Sequence, residues 1–271
     1  MEIRYICTYW GQGHLSVDEF VSKALEAGYD GFEIGIPFHE KFTTSSIKAI
    51  EGSGASFIAQ QYLQPAIESF GEYRNKLKEY LYYLAALNPI FINSHTGKDF
   101  YSFDENAILI EDCFTISKQT GIKVFHETHR GRFSFHASGL LPYVHKFDHI
   151  RFTADLSHFC VVSESLLEDQ EDILEKIMAR SSYIHARVGF GQAAQVNHPF
   201  APEWKGTLDR FVGWWQRIID VAKSEGNDRF YVCPEFGPAP YMPALPFTQQ
   251  MVANQWDINI EMMKYLKKVL K

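Results

Sequence analysis

Glu127 in Val-Phe-His-Glu-Thr-His and Glu235 in Tyr-Val-Cys-Pro-Glu-Phe-Gly share one layout: an apolar run of β type ends on a carboxylate and breaks into loop residues. Two related segments lie between them, Arg-Phe-Thr-Ala-Asp155-Leu-Ser-His158 and Tyr-Ile-His185-Ala-Arg187. Successive strand ends thus present Glu, Asp, His and Glu. Three carboxylates and an imidazole crowded together repel one another and take up protons unless a cation is present, whereas a divalent ion leaves all three acids ionised. Mixed oxygen and nitrogen donors suit Mn2+, Zn2+, Co2+ or Mg2+ and argue against copper or an iron–sulfur cluster. The expected set for one divalent metal is Glu127, Asp155, His185 and Glu235. Taken singly, Asp155 also reads as a helix N-cap and His185 as a structural strand histidine.

Further candidates surround these four. His158, three residues past Asp155, is placed to hydrogen-bond a substrate hydroxyl or to cap the next helix. Arg187, two past His185 on the same strand face, is placed to hold a substrate oxygen or balance the carboxylates. His95 in Asn-Ser-His-Thr-Gly ends another apolar run and is expected to line the pocket. Glu33, His129 and Trp10 complete the candidate substrate-binding residues, Glu33 also suiting a supporting role behind a ligand, and Arg130 and Arg132 are candidate walls. Gly189 and Gly191 could offer backbone N–H groups to a phosphate.

Residues so far apart in sequence meet only if strands place them. Eight β-branched and aromatic runs alternate with segments of helical periodicity, the pattern of βαβ units in a parallel sheet. The expected strands are Ile3–Tyr9, Gly31–Ile36, Ser56–Tyr62, Phe91–His95, Lys123–Thr128, Ile150–Leu156, Tyr183–Val188 and Arg229–Pro234. Ser-Val-Asp-Glu from Ser16 forms a capping box, and Gly28, Gly121 and Gly226 stop helices. Helical spacing runs from Phe70 to Leu87 and from Gln249 to Leu270. Long loops follow the last two strands, residues 189–206 and 234–247, where barrels carry lids and substrate walls.

The chain has 271 residues, near the roughly 250 typical of a (β/α)8 barrel, and no linker-like stretch divides it. One (β/α)8 TIM barrel domain over residues 1–271 is the expectation. A hydrophobic fraction of 46% can fill a sizeable core. With 26 Lys and Arg against 33 Asp and Glu, the net charge of −7 disfavours a nucleic-acid partner. Cys7, Cys113, Cys160 and Cys233 show no Cys-x-x-Cys spacing and are expected to be free buried thiols. No signal-peptide pattern follows Met1 and no run approaches a membrane span, so a cytoplasmic protein without a membrane partner is expected.

On Glu127 in His-Glu-Thr-His, Asp155 and His158 in Asp-Leu-Ser-His, His185 in Ile-His-Ala-Arg and Glu235 in Pro-Glu-Phe, the chain resembles the xylose isomerase-like TIM barrels. Within them it is similar to the sugar phosphate isomerase/epimerase family, which includes ketose 3-epimerases, inosose dehydratases and hydroxypyruvate isomerases. The resemblance spans nearly the whole chain. It implies that the matching Glu, Asp, His and Glu hold one divalent metal, that the histidine after the aspartate helps bind substrate, and that Glu127 and Glu235 act as an acid/base pair. Two departures stand out: family epimerases carry a substrate-binding arginine several residues after the strand-seven histidine, whereas Arg187 follows by two, and the loop with Gln192, Gln195, Asn197 and His198 is atypical.

The expected activity is metal-dependent isomerisation or epimerisation of a sugar or sugar phosphate, by proton abstraction next to a carbonyl through an enediolate. The expected partner is a small carbohydrate, with a homo-oligomer left open. Alternatives are an inosose-type dehydratase or lyase, an apurinic-site endonuclease-like metal hydrolase, and a non-catalytic sugar-binding barrel.

Overall fold

The structure, a computed structural model, describes residues 1–63 and 69–271. Strands and helices alternate in the order β1 (Glu2–Thr8), α1 (Val17–Glu26), β2 (Gly31–Ile34), α2 (Thr44–Gly52), β3 (Ser56–Gln61), α3 (Phe70–Ala86), β4 (Phe91–Ser94), α4 (Phe103–Thr120), β5 (Lys123–Glu127) and α5 (Ala137–Lys146). They continue through β6 (Phe152–Ala154), α6 (Ser157–Val162), α7 (Glu171–Met178), β7 (Ser181–His185), α8 (Lys205–Ser224), β8 (Arg229–Cys233) and α9 (Gln255–Val269). The strands close into one parallel barrel, each hydrogen-bonded to its sequence neighbours and β8 to β1. This is the (β/α)8 TIM barrel expected from the strand and helix alternation.

Strand residues alternate between the barrel interior and the helical shell. Inside, Ile6, Ile58, Phe91, Phe125, Tyr183 and Cys233 form a compact buried layer. Outside, a larger apolar core lies between sheet and helices, with Trp214 and Trp215 of α8 fully buried. Burial of such side chains supplies roughly 1.5–3 kcal/mol each. Local signals set the helix starts: Ser16 with Glu19, Ser69 with Glu72 and Ser102 with Glu105 each form a reciprocal capping box. Gly121 ends α4 at φ +76°, a left-handed conformation that favours glycine. All four cysteines are free and buried.

Several boundaries differ from the expected ones. The sixth strand covers only Phe152–Ala154, because its register against β7 shifts between Phe152 and Thr153 and the Asp155 N–H turns to the Thr128 hydroxyl at 2.8 Å. The seventh begins at Ser181, which pairs with Phe152, and ends at His185. The last helix begins at Gln255 instead of Gln249: Ala244 bridges Met251 across a folded-back loop, and Asn254 caps the helix through the N–H groups of Trp256 and Asp257. Among the described residues no helix is long and apolar enough to cross a membrane.

Candidate active site

The carboxyl ends of β5 to β8 deliver Glu127, Asp155, His185 and Glu235 to one buried point, where each offers a ligand-type atom within 4.8 Å of all the others. His185 is the hub. Its Nε2 lies 3.1 Å from Glu33 Oε2, an acceptor-only partner that makes this nitrogen the donor. Its Nδ1 then faces Glu235 Oε2 at 3.0 Å and Glu127 Oε2 at 3.6 Å without a hydrogen bond of good geometry. Glu33 thereby fixes the ring from behind, as partners behind a ligating histidine do.

Glu127 is anchored on its other side. Asn93 Nδ2 donates to Glu127 Oε2 at 2.7 Å, and His95 Nε2 lies 2.8 Å from the same oxygen. Burial raises the Glu127 pKa, but the neighbouring His95 and His185 imidazoles outweigh it and hold the carboxyl well below the usual carboxylate range. Asp155 divides its two oxygens. Oδ1 accepts from the Ser157 N–H at 3.1 Å, but Leu156 is the N-cap of α6 and no side chain caps that helix, so Asp155 is not its N-cap, while Oδ2 accepts from the Arg187 guanidinium. Burial pushes the Asp155 pKa up to about 6 against the opposing pull of Arg187. Burial lowers the His185 pKa, yet Glu235, Glu33 and Glu127 together leave it raised.

Arg187 enters through a tight turn, its N–H bonding the His185 carbonyl at 3.0 Å, and its buried guanidinium lies 2.8 Å from His158 Nε2 and 3.7 Å from Glu235 Oε2. Burial, reinforced by His129 and Arg187, holds the His158 pKa well below its usual value, so the ring is neutral. The His129 ring bridges His158 and His95, with centroids 3.9 and 4.7 Å away. Trp10 lies 5.5 Å from the Arg187 guanidinium and packs directly on Gly237, where a Cβ would collide with its ring. The residues singled out in sequence therefore surround one another, but Arg132 turns its Nη1 to the Gly131 carbonyl at 3.2 Å. Gly189 and Gly191 do not form an open phosphate cradle, since a Cβ at either would meet Ser157 and Ala194 or the Glu164 backbone within 3 Å.

Two site residues carried no assignment in sequence. Asn93 stands two before His95 on the inward row of β4, so alternation from His95 would have found it. Tyr241 lies in the proline-rich loop after β8, its ring 4.7 Å from the Arg187 guanidinium, 4.9 Å from that of Arg130 and 4.9 Å from Trp10. No periodicity marks it. Nor did periodicity reveal that Gln195 clasps Gly237, accepting its N–H at 2.6 Å and donating to its carbonyl at 3.2 Å.

The donor set fits a divalent cation: three carboxylates, an imidazole nitrogen held toward them, and no hydrogen bond on His185 Nδ1. No protein-family model and no curated protein matches the sequence. Solved structures do match. D-allulose 3-epimerase from Methylomonas sp., in complex with D-allulose, superposes with a TM-score of 0.69 at 12% identity over 99% of this chain and 97% of its own. The likeness is one of fold, the closed (β/α)8 barrel. The probable 3-DHS dehydratase involved in petrobactin synthesis from Bacillus anthracis gives 0.64 at 16% identity, covering 97% and 98% of the two chains. The IOLI protein with a zinc atom gives 0.60 at 12% identity, covering 98% of each chain.

Proposed function

We propose that this xylose isomerase-like barrel is a divalent-metal-dependent isomerase or epimerase of a sugar or sugar phosphate. Glu127, Asp155, His185 and Glu235 are its metal ligands, and Glu127 and Glu235 exchange protons with substrate. The observation that carries this reading is the pair of glutamates facing one imidazole nitrogen, at 3.0 and 3.6 Å, from strands three apart round the barrel mouth. A bound divalent ion supplies positive charge that favours the enolate form of a neighbouring carbonyl compound. The epimerase neighbour holds D-allulose, and the IOLI neighbour zinc, which supports a carbohydrate ligand and a divalent ion here.

The side chains divide the remaining work. Asn93 and His95 hold Glu127 ionised and oriented. Among the described residues the Glu235 carboxylate has only its ion-pair contacts to His185 and Arg187, which suits it to take a proton next to the carbonyl and return it. For epimerisation Glu127 returns the proton on the other face; for aldose–ketose isomerisation one base shuttles it. Arg187 and neutral His158 bind substrate oxygens, with His95, His129 and Glu33 completing that shell, and Trp10 closes the pocket and excludes water.

Glu235→Gln is expected to fold normally and to abolish solvent deuterium incorporation into ketoses presented with Mn2+. Undiminished exchange in that variant rejects Glu235 as the base. Dehydration is the second reading, favoured by the likeness to the probable 3-DHS dehydratase, because it begins with the same proton removal. Formation of a new absorbing double bond from an inosose would select it.

A further inference from the structure

The carboxyl mouth of the barrel gathers carboxylates, and its amino mouth gathers cations. Lys123, Phe125 and Glu127 share the inward row of β5, as Arg229, Tyr231, Cys233 and Glu235 share that of β8. A cavity of about 660 Å³ opens at the amino end, lined by Lys118, Lys123, Arg151, Arg229 and His149, with Glu225 the one carboxylate in its lining among the described residues.

That positive charge is only partly opposed: Glu225 lies in the lining, and Glu111 and Asp148 act on His149 beside Arg151 and Lys118. Arg229 reaches Glu2 at 3.5 Å, but among the described residues Lys118, Lys123 and Arg151 have no carboxylate at ion-pair distance. Arg151 instead donates Nη1 to the carbonyls of Asp148 and Ile150 at 3.0 and 2.9 Å, which hold the guanidinium in place without neutralising it. The His149 ring stacks on Phe114 with centroids 3.6 Å apart, and its buried Nε2 has no hydrogen-bond partner. Held cations and an unsatisfied ring nitrogen around one cavity are the complement of an oxyanion.

We propose that the amino-mouth cavity binds a small phosphate- or carboxylate-bearing anion. Phe91, packed on Phe125, Tyr183 and Tyr231 with centroids 4.6 to 5.6 Å apart, plugs the barrel between this cavity and the carboxylate cluster. The ligand therefore acts on the barrel from outside the catalytic mouth, and its binding adds stability by mass action.

Calorimetric titration of the full chain with inorganic phosphate, and separately with succinate, tests this at low ionic strength. Saturable binding of either supports the site and names its anion class. Lys123→Gln combined with Arg151→Gln is expected to weaken binding at least about tenfold, the scale of lost charge-assisted hydrogen bonds. Lys118→Gln, exposed on α4 and unable to disturb the barrel, weakens it to a smaller extent, and Arg187→Met at the other mouth leaves it unchanged. No saturation by either anion up to about 10 mM, well above the affinities usual for effectors, overturns the proposal. So does binding that survives the amino-mouth substitutions, or that is lost in Arg187→Met.

Discussion

Arg187 is buried with its charge answered by Asp155, while Glu235 stands 3.7 Å from it. Burial lowers its pKa, but those carboxylates outweigh the effect, so it is a permanent cation in a pocket of acids. Removing one member of a buried pair leaves the other charge uncompensated. Arg187→Met is expected to lower stability by roughly 3 kcal/mol in urea unfolding, with part of the loss recovered in Mn2+. An unchanged midpoint would show that Asp155 is already protonated. His126, the outward neighbour of Glu127, tests a different balance. Burial, with His149 adding, pushes its pKa from the ordinary 6.5 down to about 3. Between these values the unfolded chain binds a proton that the native chain does not. Its stabilising contribution is therefore full above pH 6.5 and is lost as pH falls below it, by up to about 1.4 kcal/mol per pH unit. His126→Asn should flatten the fall in urea midpoint between pH 6.5 and 5 by that one proton. An identical slope in both proteins would refute it.

At the scale of elements, the loops after β7 and β8 matter more than the strands they follow. Asn259 on α9 accepts the Phe236 N–H at 2.8 Å and donates to its carbonyl at 3.0 Å, next to Glu235. Gln195 makes the same kind of double contact with Gly237. Two amides thus hold the segment that carries Glu235 where no strand ladder reaches it. Asn259→Ala leaves the Phe236 N–H and carbonyl unpaired, and is expected to cost about 2 kcal/mol and to lower turnover through displacement of Glu235. A stability loss with unaltered turnover would assign the clasp to folding alone. Much at this scale was legible: the capping box at Ser16 announces α1, helical spacing from Phe70 announces α3, and Gly121 ends α4 where a left-handed residue is needed. The start of α9 was not, because residues 249 to 254 keep helical spacing while the bridge between Ala244 and Met251 captures them.

For the whole molecule, binding of an ion to the native state alone raises stability by mass action. Mn2+ at 100 times its dissociation constant should add about 2.7 kcal/mol, read as a rise in melting temperature with one ion per chain. Asp155→Asn should remove most of that rise. A melting temperature indifferent to Mn2+, Zn2+, Co2+ and Mg2+ would contradict the metal assignment. Affinity should also fall as pH drops, because Asp155, pushed up to about 6, and His185, whose pKa its carboxylate neighbours raise, must both release a proton to bind an ion.

Alternation along the chain was enough to predict eight parallel strands with Glu127, Asp155, His185 and Glu235 at the ends of the last four, because a strand shows in the two-residue alternation of its side chains. What parity cannot supply is the distance between strand ends, or the course of a loop. That His185 turns Nδ1 toward the glutamates depends on Glu33 lying behind it. That Tyr241 covers Arg187 depends on a proline-rich loop folding back across the mouth. Those relations join residues far apart in sequence, whose proximity is set by the packing of the closed barrel and by no local preference of the chain.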